Sequence, residues 1–312
     1  MTSVNISPEI NGLIEEIRND KVHGASQLAR QAVSVLKVAA QHSQADSVNE
    51  FLLEQKEVGE RLMSARPAMA PVFNIVSRFL NTVSQKAKQM NLDSIKHLAI
   101  SRADKLANGS LQAIARIVNY GSQLIADGDI IMTHSYSSTV MAVLKEAFNK
   151  RRHIAVFTTR SGPGHTGERI AQELGRYGLP VTFIDDAAIG LYISAVSKAM
   201  VGADRICADG NIINGIGTYQ LALAAEKAGA PFYVLCETLK FDPRLKSYEV
   251  DLEEKQPSEI AEPGKLPPQV RVKNPYFDIT PLGLVTGIVT ENGLLAPEEI
   301  IGYMKKQLAE DS

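Results

Sequence analysis

Apolar residues in the first part of the chain recur at intervals of three and four. This is the period that gives a helix one buried face. Ile10, Leu13, Ile14 and Ile17 mark such a face over 8–18, and Leu28, Ala32, Val33, Leu36 and Val38 mark another over 26–40. The same spacing predicts helices over 50–64, 70–90 and 92–127. Breaks are expected at Gly24, Arg66-Pro67, Pro71 and Asn108-Gly109. No strand pattern precedes residue 128.

From there the pattern changes. Short β-branched and apolar runs at 130–133, 154–158, 181–184, 199–201, 232–235 and 285–289 read as strands. Amphipathic segments at 138–149, 166–177, 187–197 and 218–228 read as helices between them. Short apolar strands alternating with helices predict a parallel sheet covered on both faces. The fold class is therefore α/β, with a helical domain over 1–127 followed by a sheet domain over 128–312. The Pro-rich, charged stretch 242–275 interrupts the alternation and reads as a long surface connection.

Composition narrows the function classes. A chain of 312 residues with 45% hydrophobic and 22% charged positions has ample length for a core without staples. The net charge of −2 gives no general attraction to nucleic acid or anionic lipid. No apolar run approaches the roughly 18–20 residues of a membrane span, and the N-terminus lacks a signal-peptide pattern; a cytoplasmic location is expected. Cys207 and Cys236 are the two cysteines, without CxxC spacing, and read as small core residues rather than a disulfide or metal site.

In a parallel sheet, ligands bind beyond the carboxyl ends of the strands. The first strand exits into Thr133-His134-Ser135-Tyr136-Ser137-Ser138-Thr139. Hydroxyls at a helix N-terminus suit an anion, and simple N-capping by Ser137 or Ser138 explains them equally well. The second strand exits into Arg160-Ser161-Gly162-Pro163-Gly164-His165-Thr166-Gly167, with Asp185 and Asp186 about 20 residues on. This has the form of a dinucleotide-binding loop, but four residues separate Phe157 from Gly162 and Pro163 stiffens the turn. Arg160 is better suited to clamping a phosphate. Further along, Gly202-Ala203-Asp204 and the Gly-rich stretch 211–218 offer a candidate acid, against the plainer reading of a turn-capping Asp. Glu237-Thr238-Leu239-Lys240-Phe241 adds a cation to the same rim; a lone rim lysine is usually just solvated.

These segments, with Asn274-Pro275-Tyr276-Phe277-Asp278-Ile279-Thr280-Pro281 and Thr290-Glu291-Asn292-Gly293-Leu294-Leu295-Ala296-Pro297, resemble in order and spacing the signatures of one family. It comprises the α, β and δ subunits of translation initiation factor 2B, their archaeal relatives, and two isomerases acting on ribose 1,5-bisphosphate and methylthioribose 1-phosphate. His23-Gly24-Ala25-Ser26 and Ala65-Arg66-Pro67 resemble the isomerases' phosphate-loop segments. The resemblance implies a Rossmann-like second domain, dimers or higher oligomers, a pocket between the domains, and no metal or cofactor.

It also implies roles. The family's isomerases open an aldose 1-phosphate ring and move a proton from C2 to C1, using an Asp that matches Asp204 and a Cys that matches Ser135. Gly24, Ala25, Arg66, Ser137, Arg160, Asn214 and Lys240 match positions that bind substrate or phosphate. Three departures weaken the enzyme reading. An unassisted serine hydroxyl is a poor base where a thiol is partly ionised. His23 stands where the isomerases carry Arg, and Gly215 where a Lys commonly follows the Asn. The sequence thus favours a non-catalytic protein of the initiation factor 2B α type. Such a protein binds a phosphorylated sugar or nucleotide, has an assembly or regulatory role, and has initiation factor 2 or related subunits as partners. An aldose–ketose isomerase is the alternative.

Overall fold

The structure is a computed structural model that describes residues 6–20 and 22–311. The chain divides into two compact units, Met1–Ala113 and Ile114–Ser312.

The first unit is helical. It contains α1 (Pro8–Asn19), α2 (Ala25–His42), α3 (Val48–Ala65), α4 (Ala70–Ala87) and the start of α5 (Leu92–Gln123). Ser7 and Ser47 cap α1 and α3 by accepting from the backbone N–H three residues on. α2 packs against α4 and α3, and its Leu28, Ala32, Val33 and Leu36 are fully buried, as the periodicity requires. Removing each such aliphatic side chain from water contributes roughly 1.5–3 kcal/mol. Asn108-Gly109 does not break α5, which runs through both residues. An interior glycine costs a helix only about 1 kcal/mol, and the flanking residues are good helix formers.

The second unit is mixed α/β with a largely parallel sheet. Its main strands are β1 (Ile130–Thr133), β2 (Ala155–Thr159), β3 (Val181–Ile184), β4 (Lys198–Val201), β7 (Phe232–Leu235), β10 (Gly287–Thr290) and β11 (Gly293–Leu295). They lie in the order β11-β10-β7-β4-β1-β2-β3, parallel except for β11. The helices are α6 (Ser138–Asn149), α7 (Thr166–Tyr177), the one-turn α8 (Ile189–Tyr192), α9 (Thr218–Ala228) and α10 (Pro297–Asp311). Alternation along each strand divides the core. Met132, Val201, Val234 and Ile288 pack with Leu221 and Ala225 of α9. Ile131, Met200, Leu235 and Val289 pack with Val140 and Leu144 of α6 and Ile170 of α7. Both faces are covered, as a parallel sheet demands.

A second sheet was not legible in the sequence. It joins β8 (Phe241–Asp242), β5 (Arg205–Cys207), β6 (Ile212–Gly215) and β9 (Phe277–Thr280) in that order. Arg205 of β5 and Asp242 of β8 form a buried ion pair at 2.7 Å. The stretch read as a helix over 187–197 holds only α8, flanked by single 3₁₀ turns. Between β8 and β9 the chain makes short turns at Ser247–Glu249 and Pro257–Glu259 and one isolated bridge from Glu254 to Pro275. No helix among the described residues is long and apolar enough to cross a membrane.

Candidate functional site

Chain connectivity selects one place on the main sheet. From β1 the chain steps outward through β2 to β3, and from β4 it steps the opposite way through β7 to β10. The strand order therefore reverses between β1 and β4, and beyond their carboxyl ends lies the crevice where open α/β sheets bind ligands. Ser135 follows β1 there, and Asp204 follows β4.

Close glycine contacts bring these exits together. A Cβ on Gly202 would lie 2.7 Å from Ser137 Oγ, and one on Gly215 would lie 2.5 Å from Ser135 Oγ. The Asp204 N–H donates to the Ile213 carbonyl at 2.8 Å, joining the β4 exit to β6, which carries Asn214. Lys240 is buried and its Nζ donates to the Ala203 carbonyl, one residue before Asp204. Asn214 is also buried, and its Nδ2 donates to Thr218 Oγ1 at 2.9 Å. Ser135, Ser137, Asp204, Asn214 and Lys240 thus share one neighbourhood. Ser137 additionally caps α6, accepting from the Val140 N–H at 3.3 Å.

Ser135 is held in an unusual backbone conformation, with φ +61°. The left-handed region costs an ordinary residue roughly 1–2 kcal/mol, so something must hold it there. Its N–H donates to Ser161 Oγ at 2.9 Å, Ser161 Oγ lies 3.1 Å from Thr159 Oγ1, and Thr159 Oγ1 lies 2.6 Å from His134 Nδ1. His134 Nε2 faces the Ile216 carbonyl at 2.6 Å, which can only accept, so the proton sits on Nε2. Burial holds the His134 pKa below its usual range, against the raising effects of Ile216 and Asp186. Its two nitrogens are engaged with Thr159 and Ile216. Among the described residues, the side-chain hydrogen bonds link His134 to the N–H of Ser135 through Thr159 and Ser161.

The glycine-rich loop proves to be arranged differently from a dinucleotide site. β2 continues to Thr159, so only Arg160 and Ser161 precede Gly162. The spacing objection is weaker than the sequence implied, but a stronger one replaces it. Asp186 accepts from the Ser161 N–H at 2.7 Å and the Gly162 N–H at 2.8 Å. The acidic residue about 20 positions on fills the amides that a pyrophosphate would need. Gly167 has a packing role, since any side chain there would collide with the Thr159 carbonyl. Arg160 is exposed, with its Nε donating to His165 Nδ1 at 3.0 Å.

Gly24, Ala25 and Arg66 lie in the first unit. Gly24 is the N-cap of α2 and supplies no capping side chain. Arg66 Nη1 donates to the Asp20 carbonyl at 2.7 Å, placing the guanidinium beside the segment that enters α2. Arg66 Nε and Ser26 Oγ are buried without partners. An uncapped helix N-terminus beside an arginine with unmet donor capacity suits an anion.

Asp278 of β9 was quoted in the sequence only as part of a motif. It stands opposite Asn214 in the β6–β9 register, and its Oδ2 accepts from the Gly217 N–H at 2.7 Å and the Tyr219 N–H at 3.1 Å. Burial pushes its pKa up to about 6, against the lowering effect of the Tyr219, Gly217 and Thr218 N–H groups. The folded value lies above that of an unfolded Asp. Its contribution to stability is therefore fully present below about pH 4 and is lost as pH rises through about 6, a loss on the order of 2–3 kcal/mol. Asp278→Asn removes that loss. Urea unfolding is expected to show the variant gaining on the unaltered protein between pH 4 and pH 7.5; a gap that does not change with pH would contradict this assignment. The two cysteines are buried, which pushes each thiol up to about 12 and leaves them unreactive.

A family model described as the initiation factor 2 subunit family matches residues 21–297. The chain belongs to this family. A ribose 1,5-bisphosphate isomerase from Methanocaldococcus jannaschii is 35% identical over 300 residues, covering 94% of this chain and 95% of that protein. Among solved structures, the translation initiation factor eIF-2B of Pyrococcus horikoshii superposes with a TM-score of 0.82 at 32% identity, covering 95% of this chain and 100% of that one. The 5-methylthioribose 1-phosphate isomerase of the same organism gives 0.79 at 30% identity, covering 97% and 88%. The helical first unit and parallel-rich second unit are the architecture this membership predicts. Family membership alone does not separate isomerase from translation factor, since relatives of both names match across nearly the whole chain.

Proposed function

We propose that the chain is an aldose–ketose isomerase acting on a ribose 1-phosphate-type substrate, with ribose 1,5-bisphosphate as the first candidate. The observation that carries this is the meeting of the β1 and β4 exits at the sheet's switch point, with Asp204, Ser135, Asn214 and Lys240 in one neighbourhood. Relatives named as isomerases, matched along almost the full chain, support it. An ester on C1 blocks spontaneous ring opening, so an acid must protonate the ring oxygen while a base removes the C2 proton. Asp204 is the ionisable member of the pair. Lys240 and Asn214 bind the anionic substrate in the second unit. Gly24, Ala25 and Arg66 form an anion-attracting corner in the first, and Arg160 is an exposed phosphate clamp. The reaction takes place in the cytoplasm and needs no metal or redox cofactor, because it only relocates protons.

One observation favours a second reading. Ser135 supplies a hydroxyl where the acid/base pair needs an ionisable partner, and this points to a ligand-sensing protein of the initiation factor 2B type. In that role it would self-associate and contact initiation factor 2 or related subunits. The deciding experiment incubates the purified protein with ribose 1,5-bisphosphate, and separately with methylthioribose 1-phosphate, and follows ketose formation. Ketose from either substrate above the protein-free blank supports the isomerase. Binding heat without product supports the sensor. Neither heat nor product sinks both.

A further inference from the structure

The described hydrogen bonds form a continuous path that begins on β9, on the far side of β6 from Asp204. Asp278 Oδ2 accepts from Gly217 and Tyr219, the carbonyl of Ile216 accepts from His134 Nε2, and His134 connects through Thr159 and Ser161 to the N–H of Ser135. The turn at the centre of this path makes two tight contacts of its own. Gly217, at φ +101°, leaves no room for a Cβ, which would lie 2.5 Å from His134 Cε1, and Gly215 abuts Ser135. The position of the 215–219 turn therefore determines where both His134 and Ser135 sit.

The single carboxylate oxygen Oδ2 anchors this turn, while Oδ1 of the same group is buried with no partner. A half-satisfied buried carboxylate costs stability. Groups retained at such a cost concentrate at functional sites. We propose that Asp278 is a positioning residue for the site: by gripping the 215–219 turn it fixes His134 and, through Thr159 and Ser161, the left-handed conformation of Ser135. It touches no reacting atom. The proposal deepens the isomerase reading, but its geometry concerns the ligand-free protein and can be tested there.

The test is nitrogen-15 NMR of the full chain, reading the His134 ring together with amide exchange at Gly217 and Tyr219. In the unaltered protein His134 should show a single Nε2–H tautomer, and both amides should be protected. Asp278→Asn keeps an acceptor oxygen and should preserve the tautomer. Asp278→Ala should release the turn, mix the His134 tautomers and speed exchange at Gly217 and Tyr219 by roughly 10- to 100-fold, the equivalent of one charge-assisted hydrogen bond. A folded Asp278→Ala protein with an unchanged His134 spectrum overturns the proposal. Should that variant not fold, unprotected Gly217 and Tyr219 amides in the unaltered protein overturn it just as directly. A lack of ketose formation from ribose 1,5-bisphosphate would remove the isomerase reading and leave the His134 result to decide the role of Asp278.

Discussion

Replacing Ser135 with cysteine is expected to raise turnover of ribose 1,5-bisphosphate by about 10²–10⁴-fold, the usual contribution of a positioned general acid or base. The backbone already suits the change. The N–H of residue 135 donates to Ser161 Oγ, and the left-handed φ of +61° depends on that bond rather than on the side chain. Residue 215, which abuts the side chain at 135, carries no Cβ to oppose the larger sulfur. A cysteine thiol is ionised to a few per cent at neutral pH, whereas a serine hydroxyl is not. Ser135→Ala separates the base effect from simple removal of the hydroxyl, because it should give no gain. The measurement is kcat for the three proteins in a ketose assay. A cysteine variant that binds the substrate but turns over no faster than its parent would show that residue 135 is not a proton-transfer position.

The second large effect is a loss. Asp204→Asn should lower kcat by about 10²–10⁴-fold while changing the calorimetric Kd by no more than roughly threefold, as expected for an interaction made only in the transition state. The amide has the shape of the carboxyl group but cannot exchange a proton at ring oxygen or carbon. The backbone bond from residue 204 to Ile213, which locates the side chain, is unaffected by the substitution. Equal losses in affinity and turnover would instead make Asp204 a binding group. If the protein is a sensor, the Asp204 variant leaves turnover at zero, and a gain in the cysteine variant over an inactive parent marks an inherited catalytic site that lacks its base.

The fold was readable where periodicity had length to express itself. The boundaries of α6, α7 and α9 coincide with the segments their apolar spacing predicts, as do those of β1, β3 and β7. The second sheet escaped because β5 has three residues and β8 only two, too few for alternation to register. Its order is fixed by long-range pairing, including the Arg205–Asp242 ion pair, which no local pattern reveals. Ser135, Asp204 and Lys240 drew attention because they stand near the exits of predicted strands, but their roles, and the choice of Asn214, came from the family resemblance, since strand position alone fits a turn cap or a solvated rim residue equally well. Asp186 and Asp278 were not assigned roles, since each acts on backbone N–H groups distant in sequence. Asp186 offered a partial signal in its spacing from Gly162, and that signal pointed to the wrong chemistry.

The contact between Gly215 and Ser135 also constrains how this crevice can change. With a Cβ at 215 only 2.5 Å from the Ser135 oxygen, a lysine there displaces whatever occupies position 135 unless the backbone first yields. Substitutions at the two positions therefore do not combine independently. A cysteine is larger than the serine it would replace, so a side chain at 215 meets the same obstruction with either residue at 135, and only a shift of the backbone relieves it.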